Sequence, residues 1–169
     1  MASELGVQTI QHTNGTDAMT IDSSGRVKQP ALPAWSAYNS TGSYVALPVT
    51  PLILNSTEVN RGNMYSTSTG IVTIPISGVY SITAMVYARV ANSETFALRI
   101  EKSTDSGTTW NMQTYAYSEP SGITSEDKTM VNSIYLDLDA NDQLRIRLTG
   151  SGDYYSGSQE TRFSGHLIG

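Results

Sequence analysis

The sequence predicts an all-β protein, a sandwich or barrel of short strands, and three observations predict it. Apolar residues recur with a period of two almost everywhere from Trp35 onward. Turn-forming clusters separate these alternating runs at strand-length intervals. The composition has 14 Gly, an excess of Ser and Thr, 38% hydrophobic and 15% charged residues. That balance suits a turn-rich sheet better than helices, which draw on Glu, Lys and Ala. No internal repeat at a fixed period is present, which excludes propellers and solenoids.

Residues 1–32 read as a polar N-terminal attachment arm. Gln8-Thr-Ile-Gln-His12 and Met19-Thr-Ile-Asp22 alternate as short strands, with turns at Asn14-Gly15 and Ser24-Gly25. Pro30 and Pro33 then impose extended backbone and mark a boundary. An arm so poor in apolar residues buries no core of its own and is expected to borrow its order from a larger assembly. Ile10, His12, Met19 and Ile21 are its candidate anchoring residues.

Residues 33–169 carry the strands. Tyr80, Ile82, Ala84 and Val86 share one face of a long run. Phe96, Leu98 and Ile100 repeat the pattern, followed by Ile134, Leu136 and Leu138, then Leu144, Ile146 and Leu148. Turns are expected at Asn60-Arg-Gly-Asn63, Ser77-Gly78, Asp105-Ser-Gly107, Pro120-Ser-Gly122 and Asp139-Ala-Asn-Asp142. The final run places Phe163, Gly165 and Leu167 on one face, with Thr161, Ser164 and His166 as its polar positions. A strand at a chain end must pair inside a sheet or fray.

Length and charge narrow the function. The 169 residues form one domain's worth of chain, with net charge −5 and a pI near 4.8. Nucleic-acid binding is excluded, because phosphate neutralisation needs clustered Lys and Arg. Cysteine is absent, which favours a cytosolic assembly site or stabilisation by oligomerisation. Met1–Gly6 has neither a basic start nor an apolar core, so no secretory leader is expected. No apolar run is long enough for a membrane-spanning helix.

Several motifs together resemble the globular head of complement component 1, q subcomponent. Pro33-Ala-Trp-Ser-Ala37 is similar to the family's opening strand. Val59-Asn-Arg-Gly-Asn-Met-Tyr65 with Thr69-Gly-Ile-Val-Thr-Ile-Pro75 resembles its hairpin and following strand. Ser77-Gly-Val-Tyr80 matches the start of its longest strand. Leu136-Asp-Leu-Asp-Ala-Asn-Asp-Gln143 is similar to its leucine-rich strand and turn, with Asn141 where the family usually has Gly. Arg162-Phe-Ser-Gly-His-Leu-Ile168 resembles its closing strand. The resemblance implies a jelly-roll β-sandwich of complement-q and tumour necrosis factor type, packed as a homotrimer. Tyr80, Tyr135, Phe163 and Leu167 are then candidates for the trimer interface or the core. Thr9–Val27 resembles the leader of tail-fibre-like and structural proteins of marine bacteriophages, cyanophages above all, and stands where the animal proteins have a collagen stalk.

Few residues invite chemistry. Ser103-Thr-Asp-Ser-Gly-Thr-Thr-Trp110 fits the Asp box of sialidase propellers, where it braces a hairpin and supplies no catalytic group. It is read here as a hairpin between two strands. His12 and His166 are the only histidines, too few for a zinc site without cysteine. No nucleophile elbow places a serine. Asp137, Asp139 and Asp142 offer the oxygen ligands that calcium prefers, but they lack the spacing of a defined loop and read as a solvated acidic turn. No cofactor and no resident metal are expected. Tyr115, Tyr117, Tyr154 and Tyr155 read as loop or edge aromatics suited to stacking on sugar rings. Gly150–Gly157 is the loop read as most suited to ligand contact.

The expected protein is a noncatalytic trimeric bacteriophage virion component, assembled in the host cytoplasm and exposed on the particle surface. Its knob is anchored by the arm to capsid or tail proteins. A capsid decoration or cement role is favoured, with a tail-fibre tip recognising host surface polysaccharide as the alternative. A secreted complement-like or cytokine-like ligand would need a leader and stalk. A glycan hydrolase rests on the Asp box alone.

Overall fold

A computed structural model describes residues 6–91, 95–118 and 125–168. Every regular element among them is a β-strand. The expected turn at Pro120-Ser-Gly122 lies outside the described residues. The chain divides into two units, Met1–Leu32 and Pro33–Gly169.

The first unit is an antiparallel sheet of β1 (Thr9–Gln11), β2 (Asp17–Ile21) and β3 (Val27–Lys28). Its turns are held by short polar side chains. Asn14 Oδ1 accepts the Thr16 N–H at 3.0 Å, and Asp22 Oδ1 accepts those of Ser24 and Arg26 at 2.9 and 3.0 Å. Ile10 faces Met19 across the β1–β2 pair. None of residues 6–32 is buried, and Ile10 and Val27 stand about half exposed. Three strands this short have no second layer within the unit to cover an apolar face.

The second unit runs β4 (Ala34–Tyr38), β5 (Tyr44–Ala46), β6 (Ser56–Arg61), β7 (Val72–Thr73), β8 (Gly78–Ala91), β9 (Phe96–Ser103), β10 (Asn111–Ser118), β11 (Ser125–Leu138), β12 (Gln143–Gly150), β13 (Asp153–Tyr155) and β14 (Arg162–Leu167). One sheet has the order β10-β9-β12-β7. The other is built around β8, which pairs along its whole length with β11. On its opposite edge β8 pairs with β14 near its start and with β13 near its end. β4 and β6 extend the sheet beyond β14, and β5 lies beyond β13.

The core lies between the two sheets and obeys the alternation. Tyr80, Ile82, Ala84, Val86 and Ala88 of β8 are fully buried, as are Phe96, Leu98 and Ile100 of β9 and Leu144 and Leu148 of β12. Trp35 meets Phe163 edge to face at 5.4 Å. The Trp35 ring lies directly across Gly165, its cross-strand partner, where a Cβ would sit 2.2 Å from Cη2. An indole covering a strand glycine supplies the packing that the glycine lacks.

Two sequence expectations change here. Thr161, read as one of the polar positions of the final strand, is fully buried on the side of Phe163, and its Oγ1 donates to the Tyr155 carbonyl at 2.5 Å. Gly150–Gly157, expected as a loop, contains β13. The reason is the length of β8: its last residues extend past the end of β14, and Asp153 and Tyr154 occupy that free edge. A buried edge left unpaired would strand backbone polar groups.

Candidate functional site

The outward face of the β8 sheet carries a line of hydroxyls. Ser133 of β11, Thr83 of β8, Ser164 of β14 and Ser36 of β4 stand in register across four strands. Thr83 Oγ1 and Ser133 Oγ are 2.8 Å apart. One row further lie Tyr135, Ser81 and His166, and on the other side Val131, Met85 and Arg162. Ala34, Ser36, Ser81, Thr83, Ser164 and His166 line a shallow groove of about 410 Å³ on this face. Tyr135 is 71% exposed and Val131 is 55% exposed. These are exposed apolar groups flanking the line of small hydroxyls.

The residues proposed for interface or core fall on both sides of this sheet. Tyr80 and Phe163 point into the core, and the Tyr80 hydroxyl donates to the Ile76 carbonyl at 2.8 Å. Leu167 packs half-buried against the core. Tyr135 alone of the four faces outward.

The tyrosines read as ligand contacts separate into different places. Tyr154 and Tyr155 are neighbours on β13, and neighbours on a strand point to opposite faces. Tyr154 is therefore buried in the core. Tyr155 packs edge-on against Tyr44 at 5.1 Å. Beside them the Arg89 guanidinium reaches Asp127 Oδ1 at 3.1 Å and donates to the Tyr44 hydroxyl at 2.6 Å. Tyr87 also hydrogen-bonds Asp127, and that carboxylate holds its phenol above the usual range. Tyr44, Tyr87 and Arg89 were not found from sequence, because only the pairing of β8, β11 and β13 brings them together.

Tyr115 and Tyr117 remain together on the outer face of the β9 sheet, with ring centroids 6.4 Å apart and both about half exposed. Tyr115 stands opposite Arg99 on β9, and Arg99 stands opposite Arg147 on β12. In the next row Arg145 Nε donates to Glu101 Oε2 at 2.7 Å, and Arg147 Nη1 lies 3.6 Å from Oε1 of the same carboxylate.

The Asp box forms the β9–β10 hairpin at the end of this face. Asp105 accepts hydrogen bonds from the Thr109 N–H at 2.8 Å, the Thr109 hydroxyl at 2.6 Å and the Ser103 hydroxyl at 2.7 Å. These bonds, led by that of the Thr109 side chain, lower its carboxyl from 3.8 to about 2. Gly107 takes φ +86°, and its carbonyl accepts the Trp110 indole N–H at 2.9 Å. The Arg145 guanidinium stacks on Trp110 at 4.1 Å. The motif thus positions an aromatic and an arginine. Both carboxylate oxygens of Asp105 are engaged in the turn, as a hairpin brace requires.

Asp142 forms an ion pair with Lys102 at 2.6 Å and accepts the Asp139 N–H at 2.9 Å. Asp137 faces outward on β11. No three acidic or histidine side chains converge for a metal among the described residues. His12 is exposed and accepts the Asn14 N–H at 3.3 Å, and His166 lies on the groove of the β8 sheet.

Two antiparallel sheets in this order, closed over one apolar core, define a jelly roll of complement-q and tumour necrosis factor type. The chain belongs to the C1q domain family, which matches residues 34–168. The fold is similar to that of Eiger TNF from S. frugiperda, with TM-score 0.69 and 13% identity over 82% of this chain and 94% of that one. It is similar to the globular domain of zebrafish complement 1qA protein, with TM-score 0.61 and 18% identity over 81% of this chain and 98% of that one. Murine APRIL gives TM-score 0.64 at 9% identity, covering 81% of this chain and 99% of that one. No curated protein sequence matches the chain.

Proposed function

We propose that the chain is a noncatalytic, homotrimeric structural protein of a bacteriophage particle, with a C1q-type knob attached by its N-terminal arm. The observation that carries the reading is the outward face of the β8 sheet. Its centre is a line of small hydroxyls, and its flank exposes Tyr135 and Val131. Small groups allow a second backbone to approach closely, and exposed apolar side chains gain from being covered. A copy related by rotation covers this face in each protomer and closes a ring of three.

The arm supports attachment. Its sheet buries no residue and presents Ile10 and Val27 to solvent, so a shell or tail subunit that covers them adds stability to both partners. Capsid decoration is the favoured position on the particle. A fibre tip is the second reading, favoured by the exposed Tyr115 and Tyr117 beside Arg99, whose Nε has no acceptor among the described residues.

Mass measurement of the full chain in solution tests the assembly. Three copies are expected for the parent and one folded copy for Thr83→Arg, which places a charge at the centre of the hydroxyl line. A monomeric parent, or a variant that stays trimeric, refutes the interface. Imaging of the whole particle tests the attachment. An arm in contact with tail subunits alone refutes the decoration role.

A further inference from the structure

We infer that the outer face of the β9 sheet is a binding site for an acidic saccharide, with Arg99 and Arg147 receiving its carboxylate and Tyr115 stacking on the sugar ring. The inference deepens the fibre-tip reading, and depends on it only for where such a glycan comes from.

Arg99 and Arg147 are directly opposed on adjacent strands. Like charges in that position repel and cost stability. The Nε of each is shielded from water and has no hydrogen-bond acceptor among the described residues. Shielded donors without an acceptor carry a desolvation penalty, and for charged groups it is larger. The nearest carboxylate does not relieve them. Glu101 is buried and given chiefly to Arg145, while Arg147 touches it only at 3.6 Å and Arg99 not at all. The outer face therefore holds two arginines in excess of its acid, on a chain whose net charge is −5. A pair of guanidinium forks side by side matches the planar, bidentate geometry of a carboxylate.

The neighbouring strand decides that the acid belongs to a sugar. Tyr115 follows Arg99 in the same row, and Tyr117 follows Ala97 in the next. Both rings are exposed and set edge to face. Aromatic rings with polar tips combine an apolar face with a hydrogen-bonding edge, as a pyranose does. Beyond Tyr117 the small Ala97 and Thr149 leave room on the sheet surface for a second sugar unit. Trp110 and Arg145, fixed by the Asp-box hairpin, close the other end of the strip.

The test is binding of the full chain to a tetramer of galacturonic acid by calorimetry, at low and at physiological salt. Neutral dextran, dextran sulfate and a polyglutamate peptide are measured beside it. The uronate tetramer is expected to bind and to raise the melting temperature, while dextran does neither. Arg99→Gln is expected to lower affinity about tenfold or more, the loss of one charge-assisted pair. Tyr115→Ala should lower it as well. Without ligand, Arg99→Gln should melt at or above the parent temperature, because it relieves the opposed pair, and that readout also shows that the variant folds. Absence of uronate binding overturns the inference. So does equal affinity for polyglutamate, which would make this an acidic-peptide site, or binding of dextran sulfate alone without effect of Tyr115→Ala. Oligomeric mass is read on the same samples, so a monomer that binds uronate refutes the trimer and leaves this site standing.

Discussion

Replacing Gly165 by alanine tests the packing that joins β14 to β4. The added Cβ would lie 2.2 Å from Trp35 Cη2 and 2.6 Å from Cζ2 and Cζ3. Ordinary carbon contacts need about 3.5–4.0 Å, so more than an ångström must be opened. The indole is 2% exposed and held edge-on by Phe163. The strand is fixed by pairing with β4 on one side and β8 on the other. Neither side yields freely, which places the cost near the upper end of the overpacking range, about 3 kcal/mol. Alanine regains roughly 0.5–1 kcal/mol of strand entropy that glycine forgoes. Overpacking wins, and the net loss is about 2 kcal/mol. For a domain of this size that lowers the melting temperature by about 6–8 °C. Urea denaturation at fixed protein concentration measures it. Trp35→Phe in the same background shrinks the ring and should recover part of the loss, giving a coupling of about 1 kcal/mol or more in the double-mutant cycle. An alanine variant as stable as the parent, or strictly additive effects, refutes the reasoning.

Two further outcomes follow from titrating groups and are checked by stability against pH. Asp105 has its carboxyl lowered to about 2 by Thr109 and Ser103, so its contribution is full above pH 4 and fades as pH falls from about 4 to 2. The stability difference between parent and Asp105→Asn should therefore shrink over that window, and a difference that stays constant to pH 2 refutes the brace. Burial pushes Tyr65 up to about 12, and its hydroxyl accepts the buried Leu54 N–H at 2.8 Å. Stability should hold up to pH 10 and fall as pH rises from 10 towards 12, because the unfolded phenol ionises first. Absorbance titration should show one fewer late-ionising tyrosine in Tyr65→Phe than in the parent, and that variant should cost about 1–3 kcal/mol for the N–H left without an acceptor.

The sequence by itself determined the long core strands and their faces. Tyr80, Ile82, Ala84 and Val86 alternate with Ser81, Thr83 and Met85, and alternation is local: each residue's side follows from its neighbour's. The Asp box was legible for the same reason, since the side-chain hydrogen bonds of Ser103, Asp105, Thr109 and Trp110 close within their own turn. Asn141 was read as standing in a glycine's place, and it adopts φ 75° there. Only the tertiary structure decided which strands stand side by side. Glu101 and Arg145 are 44 residues apart in the chain and 2.7 Å apart in the fold. The opposition of Arg99 and Arg147, and the placing of Tyr115 beside them, arise from the same register. The separation of Tyr154 from Tyr155 needed the free edge of β8 that turned an apparent loop into β13. Side-chain direction is a property of one strand, whereas a site on a sheet surface is a property of the register between strands, which no single segment encodes.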